Sequence, residues 1–170
     1  MGSITRSVES STGVTMFTVV GEADALEILN QIVTFLREAP TMRVIWDIRN
    51  GTLSPLSPHD LRMIVERAGP LTHVRAGGRT AIVCSRAVDF GLSRMFQTFA
   101  ELAAIPFEIR VARDLDDARR WIEAGGRSGY RRFVRSTAIV SSDAVRHYER
   151  SRTSDCTGRR AAENVLWISD

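Results

Sequence analysis

The chain has 170 residues, 44% of them hydrophobic and 25% charged, which is the composition of a globular protein long enough to bury a core without disulfides or metal clips. Cys84 and Cys156 cannot form a disulfide framework, no cysteine or histidine pair stands at zinc-ligand spacing, and no run approaches the roughly 18 apolar residues of a membrane span. All 23 basic residues are arginine, against 20 acids, so Schiff-base and P-loop lysine chemistry is excluded.

The N-terminus has no apolar stretch of signal-peptide length, which gives a cytoplasmic expectation. Residues 4–10 and 14–20 read as two strands joined by the turn residues Ser11, Thr12 and Gly13, hence a hairpin. Leu29, Ile32, Val33 and Leu36 then follow helical spacing, with Asp24 and Glu27 placed like an acidic capping box and Pro40 ending the helix. Residues 43–49 (RVIWDIR) form a short apolar run of the kind found in buried strands.

The second helix is signalled by Ser57 as N-cap, Pro58 at the first position and Asp60 at the third. Its apolar stripe is Leu61, Ile64, Val65, Ala68 and Leu71. Gly77-Gly78 marks a turn before a strand over 79–85. A third helix places Val88, Leu92, Met95, Phe96, Phe99, Leu102 and Ala103 on one face. Residues 107–112 make a further strand, and Asp114 caps a helix with Leu115, Ala118, Trp121 and Ile122 on its core side, stopped by Gly125-Gly126. The order β-β-α-β-α-β-α-β-α predicts an α/β fold, a four- to five-stranded mixed sheet with helices mainly on one face.

From Arg127 the periodicity stops. Residues 127–170 hold nine arginines, seven serines and five acids, whereas residues 1–126 hold 14 arginines and 15 acids. The basic balance therefore belongs to a C-terminal extension, 127–170, expected to be poorly ordered, with a docked helix as the alternative. The folded domain is expected over 1–126.

This element order resembles the STAS-like fold, and in particular its small SpoIIAA-like bacterial branch, over about residues 4–124. The resemblance is carried by the opening hairpin and the strand ending Trp46-Asp47-Ile48-Arg49. It is carried further by the run Arg94-Met95-Phe96-Gln97-Thr98-Phe99-Ala100, by Pro106 to Val111, and by the closing Ala118 to Ile122. It implies no cofactor, usually no catalysis, and kinship with anti-sigma-factor antagonists and lipid-binding CRAL-TRIO domains. Anti-sigma antagonists carry a phosphorylated serine in an Asp-Ser pair after the central strand. Here Asn50 to Asp60 holds Ser54 and Ser57 but no such pair, so the phospho-switch is not carried over.

Several side chains bear chemistry. Asp47 and Arg49 project to one side of the central strand near its carboxyl edge, where α/β sheets place ligands. The ordinary account is a structural carboxylate with a solvated arginine. Ser57 at a helix N-terminus suits a phosphate, and its ordinary account is an N-cap. His59, His73 and His147 stand in no recognisable relation to a nucleophile. Cys84 reads as a buried small hydrophobe, although Ser85-Arg86 follow it at a helix start. Phe90, Leu92, Met95, Phe96 and Phe99 fit either core packing or an apolar pocket facing Leu61, Ile64, Val65 and Trp46. The pocket requires a cavity of about 300 Å³ or more. Arg62, Arg86 and Arg94 would suit an anionic group if they shared one rim.

These residues predict a non-enzymatic binding domain. It would engage a protein partner or a small apolar or anionic, lipid-like ligand through the second and third helices and the loop 50–58. The candidate residues are Asp47, Arg49, Ser54, Ser57, Arg94 and Phe96, with no metal and no cofactor. A homodimer through an edge strand or an apolar helix face is compatible with this. The competing accounts are a hydrolase or transferase using Ser57 or Cys84, and nucleic-acid binding through the arginine tail, where Tyr130 and Phe133 interleave with Arg131, Arg132 and Arg135.

Overall fold

A computed structural model describes residues 2–124. The Gly125-Gly126 stop, the domain boundary and the arginine-rich extension lie outside the described residues. The elements are β1 (Ser3–Glu9), β2 (Val14–Glu22), α1 (Ala25–Glu38), β3 (Arg43–Thr52), α2 (Pro58–Ala68), a 3-10 turn (Gly69–Arg75), β4 (Arg79–Val83), α3 (Ala87–Leu102), β5 (Glu108–Ala112) and α4 (Leu115–Ala124). The strands form one sheet in the order β1-β2-β3-β4-β5. β1 is antiparallel to β2, and the other neighbours are parallel. No described helix is long and apolar enough to cross a membrane.

Alternation along β3 sends side chains to two different cores. Val44, Trp46 and Ile48 join Phe17, Val19 and Ile82 beneath α1, α2 and α3, while Ile45 joins Ala81 and Val83 against Ala118 and Ile122 of α4. Three helices therefore cover one face and α4 the other, in keeping with helices mainly on one face. At the centre of the first core Phe17 stacks on Trp46 at 4.3 Å and meets Phe35 edge-on at 5.5 Å. Both are favourable aromatic geometries.

The α2 start forms as its sequence predicts. Ser57 Oγ accepts from Asp60 N while Asp60 Oδ2 accepts from Ser57 N, and Pro58 opens the helix. The first helix differs. Asp24 caps it by accepting from the Leu26 and Glu27 amides, but Glu27 does not close a box. Its Oε1 accepts from Ile4 N at 3.1 Å and fastens β1 to α1 instead. β3 runs three residues past the apolar stretch, because Asn50, Gly51 and Thr52 go on pairing with Val20, Gly21 and Glu22 beyond a bulge. Strand pairing, not side-chain polarity, decides that end.

The third helix corrects the expected face in part. Val88, Met95 and Leu102 are exposed, and Asp89, Ser93 and Ala100 are buried. Phe96 packs beside them, at the spacing i, i+4, i+7 and i+11 of one helical stripe. Polar residues hold the inner face because Asp89 accepts from the Leu53 amide there and Ser93 lies beside Cys84 of the sheet edge. Leu92, Phe96 and Phe99 of the expected face do pack against the first core, so the apolar side chains flank the buried stripe without filling it.

Two positions on α3 are mismatched to their backbone. Ala104 follows the helix with φ 51, and the amides of Ala104 and Ile105 return to the carbonyls of Glu101 and Ala100, a Schellman-type ending that favours glycine. Gly91 lies inside the helix with open space around the place of a Cβ. Ala104→Gly and Gly91→Ala are each expected to stabilise the fold by about 0.5–1 kcal/mol. Urea unfolding of both variants checks this, and a loss of stability in either contradicts the assignment.

Candidate functional site

Between the sheet and α1–α3 the first core is not filled. An apolar cavity of about 100 Å³ is lined by Phe17, Trp46, Ile64 and Phe96, among others. α2 and α3 contribute to the wall as the sequence predicts, with Leu61, Val65 and Phe96, but Met95 and Phe99 do not line it. Ile28 and Ile32 come from α1, a helix that the sequence did not assign to the pocket. The size falls below the roughly 300 Å³ of a drug-sized site. A long acyl chain does not fit this space, whereas a molecule on the scale of benzene occupies apolar cavities of this order. Ala100, Ile105, Phe107 and Ile109 also border a shallower depression of about 450 Å³ beside the β5 edge.

One charged group lines the cavity. Arg75 is 3% exposed. Its Nε donates to Thr41 O at 2.7 Å, its Nη1 to Thr80 Oγ1 at 3.0 Å, and its Nη2 to Met42 O and Arg79 O. Its guanidinium lies over the rings of Phe35 and Phe107, at 5.5 and 4.4 Å. No carboxylate pairs with it among the described residues. Burial alone pushes its pKa down to about 10, so it remains a cation at neutral pH. Nothing around Arg75 in the sequence marks it, because its partners are backbone carbonyls supplied by folding.

The carboxyl edge of the sheet carries a second buried polar group. Asp89 Oδ1 accepts from Thr52 Oγ1 at 2.8 Å and from Leu53 N at 2.7 Å, tying the loop after β3 to the start of α3. Its Oδ2 has no hydrogen-bond partner, and Arg86 Nε stands 3.9 Å away. Cys84 is buried 3.9 Å from Ser93 Oγ, and burial raises its thiol pKa. That setting keeps the thiol protonated and unreactive.

The candidate residues occupy different places. Asp47 and Arg49 form a two-bond pair, Nε to Oδ1 at 2.9 Å and Nη2 to Oδ2 at 2.8 Å, with Arg49 N also donating to Oδ1. They share the sheet face of Ile45 and α4, away from the cavity, so Asp47 is occupied from within. Ser54 and Ser57 are exposed on the loop into α2, and Arg94 is exposed on α3, donating to Gln97. Only Phe96 of the six lines the cavity. Arg62 lies over Phe99, Arg86 approaches Asp89 and Arg94 meets Gln97, so the three arginines have three separate partners.

Ser57 Oγ donates to Asp60 Oδ2 at 2.6 Å, and that bond holds the Asp60 carboxyl below its ordinary pKa, which makes it a weak base. No described cluster of three or more histidine, cysteine or acidic residues can hold a metal ion. His73 Nδ1 is engaged with Pro70 O.

No family model matches the chain, and no curated protein matches it. Among solved structures it is similar to an uncharacterized protein of the DUF3478 family with a SpoIIAA-like fold, from Shewanella loihica PV-4. The two share 18% identity over 71% of this chain and 93% of that one, with a TM-score of 0.44. The mixed five-stranded sheet with four helices is the fold class that the sequence predicts.

The Asp47–Arg49 pair has a pH signature. Its hydrogen bonds hold Asp47 below its ordinary pKa. A depressed carboxyl adds stability that is complete above the unfolded pKa and is lost as pH falls through the folded one. The stability advantage of the wild type over Asp47→Asn is expected to shrink as pH falls below about 4. Urea unfolding across that range reads it, and an advantage independent of pH would contradict the pairing.

Proposed function

We propose that this protein is a non-catalytic, STAS-like binding domain that takes a small apolar ligand into the cavity between the sheet and α1–α3. The observation that supports this reading is the cavity itself. Unfilled apolar space of about 100 Å³ costs about 2 kcal/mol in an otherwise close-packed core. Ala68 and Ala100 stand on its wall, where a larger side chain would fill it. Binding recovers the missing contacts and stabilises the fold by mass action.

Phe96 is the candidate residue that would touch the ligand. Ser54, Ser57 and Arg94 are exposed and would form the surface offered to a protein partner. Asp47 and Arg49 then have a structural role on the opposite face. A reading as hydrolase or transferase has less support, since the carboxylate on Ser57 is the weakly basic Asp60 and Cys84 has no positioned base among the described residues.

Toluene is a suitable apolar probe. It is expected to raise the Tm of the wild-type chain in proportion to its concentration, and the shift is expected to vanish in Ala100→Val or Ala68→Val. The unliganded variants are expected to melt no lower than the wild type by more than the about 1–3 kcal/mol of mild overpacking. No toluene shift in the wild type would sink the reading, and so would an undiminished shift in both variants.

A further inference from the structure

The side chains at the Arg75 corner of the cavity have donors left over. A guanidinium carries five N–H donors. Arg75 uses one on Nε, two on Nη2 and one on Nη1, which leaves one N–H on Nη1. Thr80 Oγ1 accepts from that same Nη1 at 3.0 Å, and its own hydroxyl hydrogen is donated to no described group. Two other hydroxyls stand on this wall: Thr72 already donates to Gly69 O, and Ser93 lies on α3 beside Cys84 Sγ. Two buried donors therefore stand about one hydrogen bond apart, and both Arg75 and Thr80 line the cavity.

All four acceptors of Arg75 are neutral. Carbonyls and a hydroxyl orient a guanidinium without cancelling its charge, and the rings of Phe35 and Phe107 compensate it only in part. A buried cation without a counter-ion is costly, and an anion placed beside it in a low-dielectric space is correspondingly favoured. Apart from the Thr72 and Ser93 hydroxyls, the rest of the cavity wall is apolar.

We propose that the cavity selects small apolar carboxylates, with one carboxylate oxygen on the free Arg75 Nη1–H, the other on the Thr80 hydroxyl, and the hydrocarbon body in the apolar space. This rests on the reading of the cavity as a ligand site and adds the chemical class of the ligand. Thr80 and Arg75 set the specificity, and the apolar residues supply the room. An amide of the same shape brings no charge, and a hydrocarbon leaves both donors unmet.

Benzoate, benzamide and toluene separate these contributions when titrated by calorimetry into the full chain. Benzoate is expected to bind at least about tenfold tighter than benzamide, the discrimination typical of a hydrogen bond to a charged group. Thr80→Val removes the hydroxyl with little change of shape, and is expected to cut the preference for benzoate over benzamide several-fold. Arg75→Met is expected to abolish the preference. If Arg75→Met fails to fold, Thr80→Val and the comparison of ligands on the wild type still decide. Equal binding of benzoate and benzamide overturns the carboxylate site while the cavity reading stands. A benzoate preference untouched by Thr80→Val overturns it as well. Failure of all three ligands to bind overturns both readings.

Discussion

Arg75 holds the amino edge of the sheet together with a charge that has no carboxylate beside it, and much of the fold is arranged around that fact. Its hydrogen bonds reach the loop between α1 and β3 through the Thr41 and Met42 carbonyls, and the start of β4 through Arg79 and Thr80. Phe35 of α1 and Phe107 before β5 stack on the same guanidinium. Close approach of the backbone goes with this convergence. A Cβ at Gly78 would stand 2.8 Å from Met42 O and 2.9 Å from Arg75 O, so only glycine fits the turn into β4. The corner is held by many bonds at once, which keeps the apolar space beside it from collapsing onto the cation.

The carboxyl edge is fastened by a different device. Asp89 reaches from the first turn of α3 to the Leu53 amide and the Thr52 hydroxyl, fixing the loop that leads into α2. The helices over the cavity are thus anchored at both ends by buried polar groups, an arginine at one edge and an aspartate at the other. Between those anchors the packing is apolar, and a void persists where Ala68 and Ala100 leave room. The opposite face, under α4, is a smaller core with the Asp47–Arg49 pair at its margin. On the proposed reading, the first face holds the ligand and the second supports the sheet.

The element order was legible because strands and helices here carry distinct apolar periods and because Ser57-Pro58-His59-Asp60 is an unambiguous helix start. The buried polar residues of α3 were not, since Asp89 and Ser93 are held inside by polar partners on other elements, which a hydrophobic pattern does not record. Glu27 shows the same limit. Its spacing from Asp24 fits a capping box, but the nearer demand is the Ile4 amide, 23 residues away in sequence. Phe96 was found as part of an aromatic cluster. Arg75 and Thr80 left no mark, because the acceptors of one and the spare donor of the other exist only once the loop before β3 folds over β4.

The proposed carboxylate ligand sits in this cavity against Arg75 and Thr80. A crystal structure of the protein grown with benzoate tests it directly. The expected map shows the ring between the sheet and α1–α3, with its carboxylate within about 3 Å of Arg75 Nη1 and Thr80 Oγ1. A cavity closed by its own side chains, or benzoate bound only on the surface, would contradict the account.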